Sequence, residues 1–147
     1  METDKIKQLN LENYDELDRL FEISSVKEEV FILREIRRKI AEKFESAINL
    51  LSSFLNPGSA FIDIHDARAL DDKDHELVAN ILKSFSIVLK EHYCLEIESD
   101  DSAEKIFFKN ALESYKKHIK DLKSIICKVK DSYNADEMAK EYTHYFG

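Results

Sequence analysis

Apolar residues recur at three- and four-residue spacing over about thirty consecutive positions of this chain, and this pattern constrains the fold most. The stripe runs from Val26 to Phe54, and such spacing places side chains on one face of an α-helix. Ser25 and Glu28 form a capping box at its start, and Asn56-Pro57-Gly58 supplies a stop signal. The sequence therefore predicts one amphipathic helix from Ser25 to Leu55, about 45 Å long at 1.5 Å per residue.

Two more long helices are predicted from the same spacing. Asp71 is expected to cap a helix whose apolar stripe ends near Leu95. Asp101, with Glu104 three residues later, repeats the capping pattern and opens a helix that ends near Val129. Most of the chain is therefore expected to lie in three long helices.

Shorter elements flank and connect these helices. Asn10 is expected to cap a short helix that ends near Ile23, and Asn134 with Glu137 precedes a short final helix. The segment Ser59–Leu70 is too short for a core helix, so we predict a packed connecting loop there.

Amphipathic helices need tertiary packing, because an isolated helix is marginal in water. The chain of 147 residues has only two Gly and one Pro, too few turn-formers for a sandwich or barrel of many short strands. We therefore predict an all-α fold, a helical bundle of three long and two short amphipathic helices in a single domain, residues 1–147. The residues at stripe centres are expected to be buried: Ile40, Phe44, Leu51, Phe85, Ile119 and Leu122.

Adjacent pairs of apolar residues widen the stripes beyond what three long helices can cover. Some of this surface should lack intrachain cover, so we expect either a symmetric dimer or a complex with a partner helix. The pairs are Val30 with Phe31, Leu50 with Leu51, Ile106 with Phe107, and Ile125 with Ile126.

Charge is uneven along the chain. The net charge of −8 argues against tight independent binding to nucleic acid or to an anionic membrane. Residues 102–133 nevertheless carry eight lysines against four acidic residues. We expect basic side chains at the rim of a partner interface, where they would steer an acidic protein surface. The candidate partner-binding residues are Arg34, Arg37, Arg38, Lys39, Lys116 and Lys120.

One polar segment, residues 63–75, offers an enzymatic alternative. His65-Asp66 resembles the metal-binding dipeptide of HD-type phosphohydrolases, although no earlier His precedes it. Arg68 and His75, with six residues between them, resemble the active-site pair of HEPN ribonucleases. With Asp63, these residues would make the chain a small metal-dependent hydrolase or a nuclease.

Other chemistry is incomplete. Cys94 and Cys127 are not spaced as a redox or metal pair, and we expect buried, inert thiols in a reducing, cytoplasmic compartment. Glu141 and His144 form a single Glu-x-x-His, whereas a di-iron bundle needs two. No apolar run is long enough to span a membrane. We therefore predict no cofactor, no metal and no membrane partner.

A basic stretch of the first long helix resembles a known family of interaction proteins. Residues Arg34 to Phe44, preceded by Leu33, resemble the Leu-Arg-x-Arg-x-x-Lys-Ile-x-x-Phe helix of GINS replication-complex subunits. Ala69 to Leu77 resembles the acidic entry into that family's next helix. The resemblance implies a non-catalytic replisome scaffold whose helices pack against sister subunits. We therefore expect a non-enzymatic interaction or scaffold subunit, with the hydrolase or nuclease as the alternative.

Overall fold

The computed structural model describes residues 11–27 and 30–133, and it is an all-α helical bundle, which confirms the predicted fold class. The described residues contain no strand. In chain order the helices are α1 (Tyr14–Phe21), α2 (Ile32–Leu55), α3 (Phe61–Arg68), α4 (Asp72–Ile97) and α5 (Asp101–Asp131), with a 3₁₀ turn at Ile23–Ser25. The short final helix predicted after Asn134 lies outside the described residues.

The chain groups into two compact units. The first contains the described parts of Met1–Ala47 together with Ser84–Lys116, and the second contains Ile48–Lys83 with the described part of Lys117–Gly147. The helices α2, α4 and α5 each contribute residues to both units. The single domain expected from the sequence stays a prediction.

Four aromatic rings, one from each of four helices, form the centre of the first unit. Phe44 packs edge-on against Phe85 with ring centroids 4.9 Å apart, and Phe21 packs edge-on against Tyr115 at 5.3 Å. These separations fall in the favourable range for aromatic pairs, about 4.5–7 Å. The cluster therefore joins α1, α2, α4 and α5 in one apolar core.

Helix α2 begins seven residues later than the capping pattern predicts. Phe31 has a left-handed φ of 58°, so helical backbone starts only at Ile32. The Ser25 hydroxyl donates to the Glu22 carbonyl at 2.7 Å, while Glu28 lies outside the described residues. The predicted start at Ser25 is therefore wrong, because a left-handed residue cannot continue a right-handed helix.

Residues 59–70 hold a helix, so the predicted loop is wrong. Helix α3 takes up eight of these residues and begins after Ala60, whose backbone is extended. Its apolar residues, Phe61, Ile62 and Ile64, do not share one helical face, and periodicity therefore gave no signal. A Cβ at Gly58 would lie 3.1 Å from Asp63 Oδ2, so glycine allows the close approach of the chain to the first turn of α3.

The predicted caps of the last two long helices are close to those observed. Asp71 caps α4 by accepting the Asp74 N–H at 2.8 Å, and the Asp74 carboxylate accepts the Asp71 N–H in return. Asp100, not Asp101, caps α5, since its carboxylate accepts the Ala103 N–H at 2.7 Å. The shift by one residue leaves the carboxylate of Glu104 available for a different partner.

Burial follows the predicted stripes with one exception. Five of the six stripe-centre residues are buried, whereas Ile119 is only half-buried and its neighbour His118 is buried instead. In each of the four adjacent apolar pairs at least one member is exposed, as expected if the described chain leaves part of this surface uncovered. Val30, Phe31, Leu50, Ile106 and Ile126 are the exposed members. No helix in the described part of the chain is long and apolar enough to cross a membrane.

Candidate functional site

Arg37 of α2 lies at the centre of a buried ionic network in the first unit. Its side chain has no exposed surface, and its Nε donates to Glu104 Oε2 at 2.7 Å. Nη1 donates to Glu96 Oε1 at 3.0 Å, to His92 Nδ1 at 2.7 Å and to the His92 carbonyl at 3.2 Å. The Ser99 hydroxyl donates to the second oxygen of Glu104 at 3.1 Å. One guanidinium therefore ties α2 to both α4 and α5.

The neighbouring Arg38 extends the network toward the surface. Its Nε and Nη2 donate to the two oxygens of Glu96 at 2.7 and 2.8 Å, which is the bidentate geometry that guanidinium favours. These hydrogen bonds to Arg38, with further stabilisation by Arg37, lower the pKa of Glu96 to about 2. The same hydrogen bonds raise the pKa of Arg38 above its usual range. Glu96 is therefore held as a carboxylate.

His92 is held neutral inside this network. Burial lowers the pKa of its imidazole, and the positive charge of Arg37 lowers it further. Because a guanidinium can only donate, His92 Nδ1 must accept the bond from Arg37, which leaves the ring proton on Nε2. The charged groups around the ring are Arg37 and Arg38 from α2, Glu96 from α4 and Glu104 from α5.

The predicted partner-binding residues differ in burial and in their partners within the chain. Arg37 lies in a buried ionic network and not at an exposed rim, where the sequence predicted it. Lys116 is exposed and pairs with Glu16 at 2.9 Å. Lys39 is half-buried, and Lys120 is exposed. A partner contact stays a prediction for all six residues: Arg34, Arg37, Arg38, Lys39, Lys116 and Lys120.

The sequence contains one indication of this network: ionisable residues occupy positions within the apolar stripes. Arg37 follows Leu33 and precedes Ile40 and Phe44 on the apolar face of α2. Glu104 precedes the buried Phe107 by three residues, and His92 follows the buried Val88 by four. Ionisable residues at stripe positions are rarely buried unless they are paired. Arg37 is basic, Glu104 is acidic and His92 can share a hydrogen bond, so the three together favour a buried ionic cluster.

A groove of about 460 Å³ lies beside the network, also within the first unit. We call it the Phe31–Ile97 groove. Its walls come from the start of α2 and from the connection between α4 and α5. Its lining residues are Phe31, Ile32, Leu33, Arg34, Arg37, Leu95, Glu96, Ile97, Glu98, Ser99, Asp100, Asp101 and Glu104.

Large apolar side chains at this groove are exposed to solvent. Phe31 is 65% exposed and Ile97 is 88% exposed, and Val30, next to Phe31, is 67% exposed. The Arg34 guanidinium stacks over the Phe31 ring, with Cζ 4.6 Å from the ring centroid. These side chains therefore present apolar surface that the described chain does not cover.

The polar segment proposed as an enzyme site forms contacts within the second unit. His65 is buried, and its Nε2 lies 3.0 Å from the Ser132 hydroxyl, which itself donates to the Val129 carbonyl at 2.5 Å. The Tyr133 hydroxyl donates to Asp66 Oδ1. Because the Ser132 proton is directed to a carbonyl, this geometry does not activate the hydroxyl as a nucleophile.

The remaining members of that segment do not converge on one point. His75 Nε2 lies 3.2 Å from the Ala67 carbonyl, Arg68 is exposed, and Asp63 lies near Gly58. Within residues 11–27 and 30–133, no three His, Cys, Asp or Glu side chains are grouped so that they could hold a metal ion. The Glu141 and His144 pair lies outside those residues.

Both cysteines are free of disulfide bonds and more accessible than predicted. Cys94 is exposed and Cys127 is half-buried, so the expectation of two buried thiols is wrong. Cys94 lies on the outer face of α4, between the buried His92 and the network residue Glu96.

Comparison with protein-family models, curated proteins and solved structures found no match for this chain.

Proposed function

We propose that this protein is a non-catalytic interaction subunit that docks a protein partner in the Phe31–Ile97 groove. The observation that carries the proposal is the exposure of Phe31 and Ile97, which both line one groove. Burying a large apolar side chain contributes about 1.5–3 kcal/mol, and monomers rarely leave such side chains clustered in water. A partner that covers the groove would gain this free energy.

The backbone at Phe31 supports a binding role for its side chain. A left-handed conformation costs a residue with a side chain about 1–2 kcal/mol, and Phe31 adopts it with φ 58° while its ring stays exposed. Among the described residues the ring stacks with the Arg34 guanidinium, and most of its surface stays exposed. Backbone strain of this kind is concentrated at functional sites.

The ionic network supports a structural role for the charged residues next to the groove. Arg37, Arg38, Glu96 and Glu104 pair with one another, and His92 accepts a hydrogen bond from Arg37. A catalytic acid or base must exchange protons with a substrate, whereas these groups hold α2, α4 and α5 together. The resemblance of the basic helix to GINS subunits fits this role, and it suggests a replication complex as the assembly.

The test is co-purification from native cells with a matched pair of variants. Phe31→Ser with Ile97→Ser should remove the partner protein that the wild-type chain retains. Ile87→Ser with Ile62→Ser should keep it, because these side chains are similarly exposed, at 60% and 55%, and neither lines the groove. Equal recovery of every partner with both double variants would contradict the proposal.

A further inference from the structure

We infer that the partner segment is a basic amphipathic helix, an identification that rests on the interaction role proposed above. The juxtaposition behind it is an apolar groove whose lip carries three carboxylates that form no salt bridge with the described residues. The inference concerns the chemistry of the occupant, so it can fail while the interaction role stands.

The charges that line the groove are mostly acidic once internal pairs are removed. Glu104 is neutralised by Arg37 in the buried pair, and Glu96 is neutralised by Arg38 through two hydrogen bonds. Arg34 lies 3.4 Å from Glu35 and stacks on Phe31, so its charge is also engaged.

Three carboxylates remain on the lip: Glu98, Asp100 and Asp101. Among the described residues none of the three forms a salt bridge, although Asp100 accepts the Ala103 N–H as a helix cap. Carboxylates beside exposed apolar surface complement a ligand that carries both apolar and cationic side chains. An acidic or neutral segment would leave this lip uncompensated.

The architecture of the groove favours a helical ligand. The described residues contain no strand, so they offer no sheet edge to which an extended peptide could add by backbone pairing. A helix that is laid in a groove needs only apolar anchors at i, i+3, i+4 and i+7. Phe31 and Ile97, which both line the groove, can contact such anchors, while lysine or arginine on the flank of the ligand helix faces the lip.

The groove is preformed, because the buried network fixes its walls. Arg37 bonds to Glu104 of α5 and to His92 and Glu96 of α4, so the three helix ends that form the groove are cross-linked by hydrogen bonds. A preformed site avoids the entropy cost of ordering its walls at binding.

The experiment measures binding of two synthetic peptides to the full chain by fluorescence anisotropy. One peptide is an amphipathic helix of leucine and lysine, about two heptads long, and the other has glutamate in place of every lysine. The wild-type chain should bind the lysine peptide and not the glutamate peptide. Binding of neither peptide, or equal binding of both, would overturn the inference.

Matched charge variants separate the groove from the general acidity of the chain. Glu98→Lys with Asp101→Asn should weaken binding of the lysine peptide about fivefold or more at low ionic strength, and less than about twofold at high salt. Glu45→Lys with Glu113→Gln changes net charge by the same amount at exposed acids that do not line the groove, and it should change binding less than twofold. An equal loss with both pairs would mean unspecific attraction and would overturn the inference. Circular dichroism of each variant should show the same helical content as the wild-type chain.

A second copy of the chain is the competing occupant. Light scattering that shows a dimer, broken by the groove variants Phe31→Ser with Ile97→Ser, would assign the groove to self-association and overturn the inference. If the native partner depends on Phe31 and Ile97 while the lysine peptide does not bind, the interaction role stands and only the basic helix is refuted.

Discussion

Replacing Arg37 with Met is expected to lower the free energy of unfolding by about 3–5 kcal/mol, the usual cost of removing one member of a buried ion pair. Methionine retains much of the apolar stem, so the loss comes from the charges that remain. The Glu104 side chain is 6% exposed and its carboxylate loses its cation at 2.7 Å, and only the Ser99 hydroxyl still donates to it. The imidazole and carbonyl of His92 lose donors as well.

Most of the decrease in the free energy of unfolding should come from the unpaired Glu104 carboxylate, because Glu96 keeps its two hydrogen bonds to Arg38. Adding Glu104→Leu to Arg37→Met should therefore restore most of the lost free energy, since a buried pair can be replaced by apolar side chains at little cost. The double variant should be more stable than the sum of the two single changes predicts, and this difference measures the coupling between the residues.

Arg38→Met is the matched control. This guanidinium belongs to the same network, but its side chain is 42% exposed, and exposed ion pairs contribute about 1 kcal/mol or less. The two substitutions remove the same group from adjacent positions of α2. They differ only in burial and partners.

Urea unfolding followed by far-ultraviolet circular dichroism measures all five proteins: the wild type, the single variants Arg37→Met, Glu104→Leu and Arg38→Met, and the double variant. For a slope of about 2 kcal/mol per molar urea, Arg37→Met should lower the midpoint by about 2 M. A decrease in the free energy of unfolding below about 1 kcal/mol, with no coupling between Arg37 and Glu104, would refute the reasoning.

Three further predictions concern core packing, the pH dependence of stability and thiol reactivity. Phe44→Ala should cost about 3–5 kcal/mol in thermal unfolding, because the ring is fully buried against three others. Since burial lowers the pKa of His92 below 6.5, the unfolded chain binds more protons there, and stability that is complete above about pH 6.5 should fall as the pH drops. Glu96, with its pKa at about 2 instead of 4.5, should add a second loss below about pH 4.5, and urea midpoints that stay constant from pH 7 to 3 would contradict both assignments. A thiol reagent should modify Cys94 before Cys127 in the native chain and both at similar rates in denaturant, as read by mass spectrometry.

The long helices were predictable because their apolar stripes extend over many turns. The start of α2 and the short helix α3 were not predictable from these stripes. The left-handed φ of Phe31 moves the start of α2, and nothing in the apolar pattern of Val26 to Phe54 requires it. Helix α3 has too few apolar positions on one face for periodicity to detect it.

The ionic network was predictable in kind but not in its pairs. Arg37, Glu104 and His92 each interrupt an apolar stripe, which indicates buried charge. Arg37 is 67 residues from Glu104 and 55 from His92 along the chain, and a single sequence does not specify which helices meet. For this reason the sequence placed Arg37 at the rim of an interface, whereas the structure buries it. The groove likewise depends on two segments that only the fold brings together.

Site-specific photocrosslinking at Phe31 tests the interaction role most directly. A benzophenone amino acid in place of Phe31 puts a reactive group in the groove, and the same group in place of Ile87 reports an equally exposed position outside it. In native cells the account predicts one discrete crosslinked protein at position 31, none at position 87, and loss of the product when Ile97→Ser is added. No product at position 31, or the same products at both positions, would contradict the account.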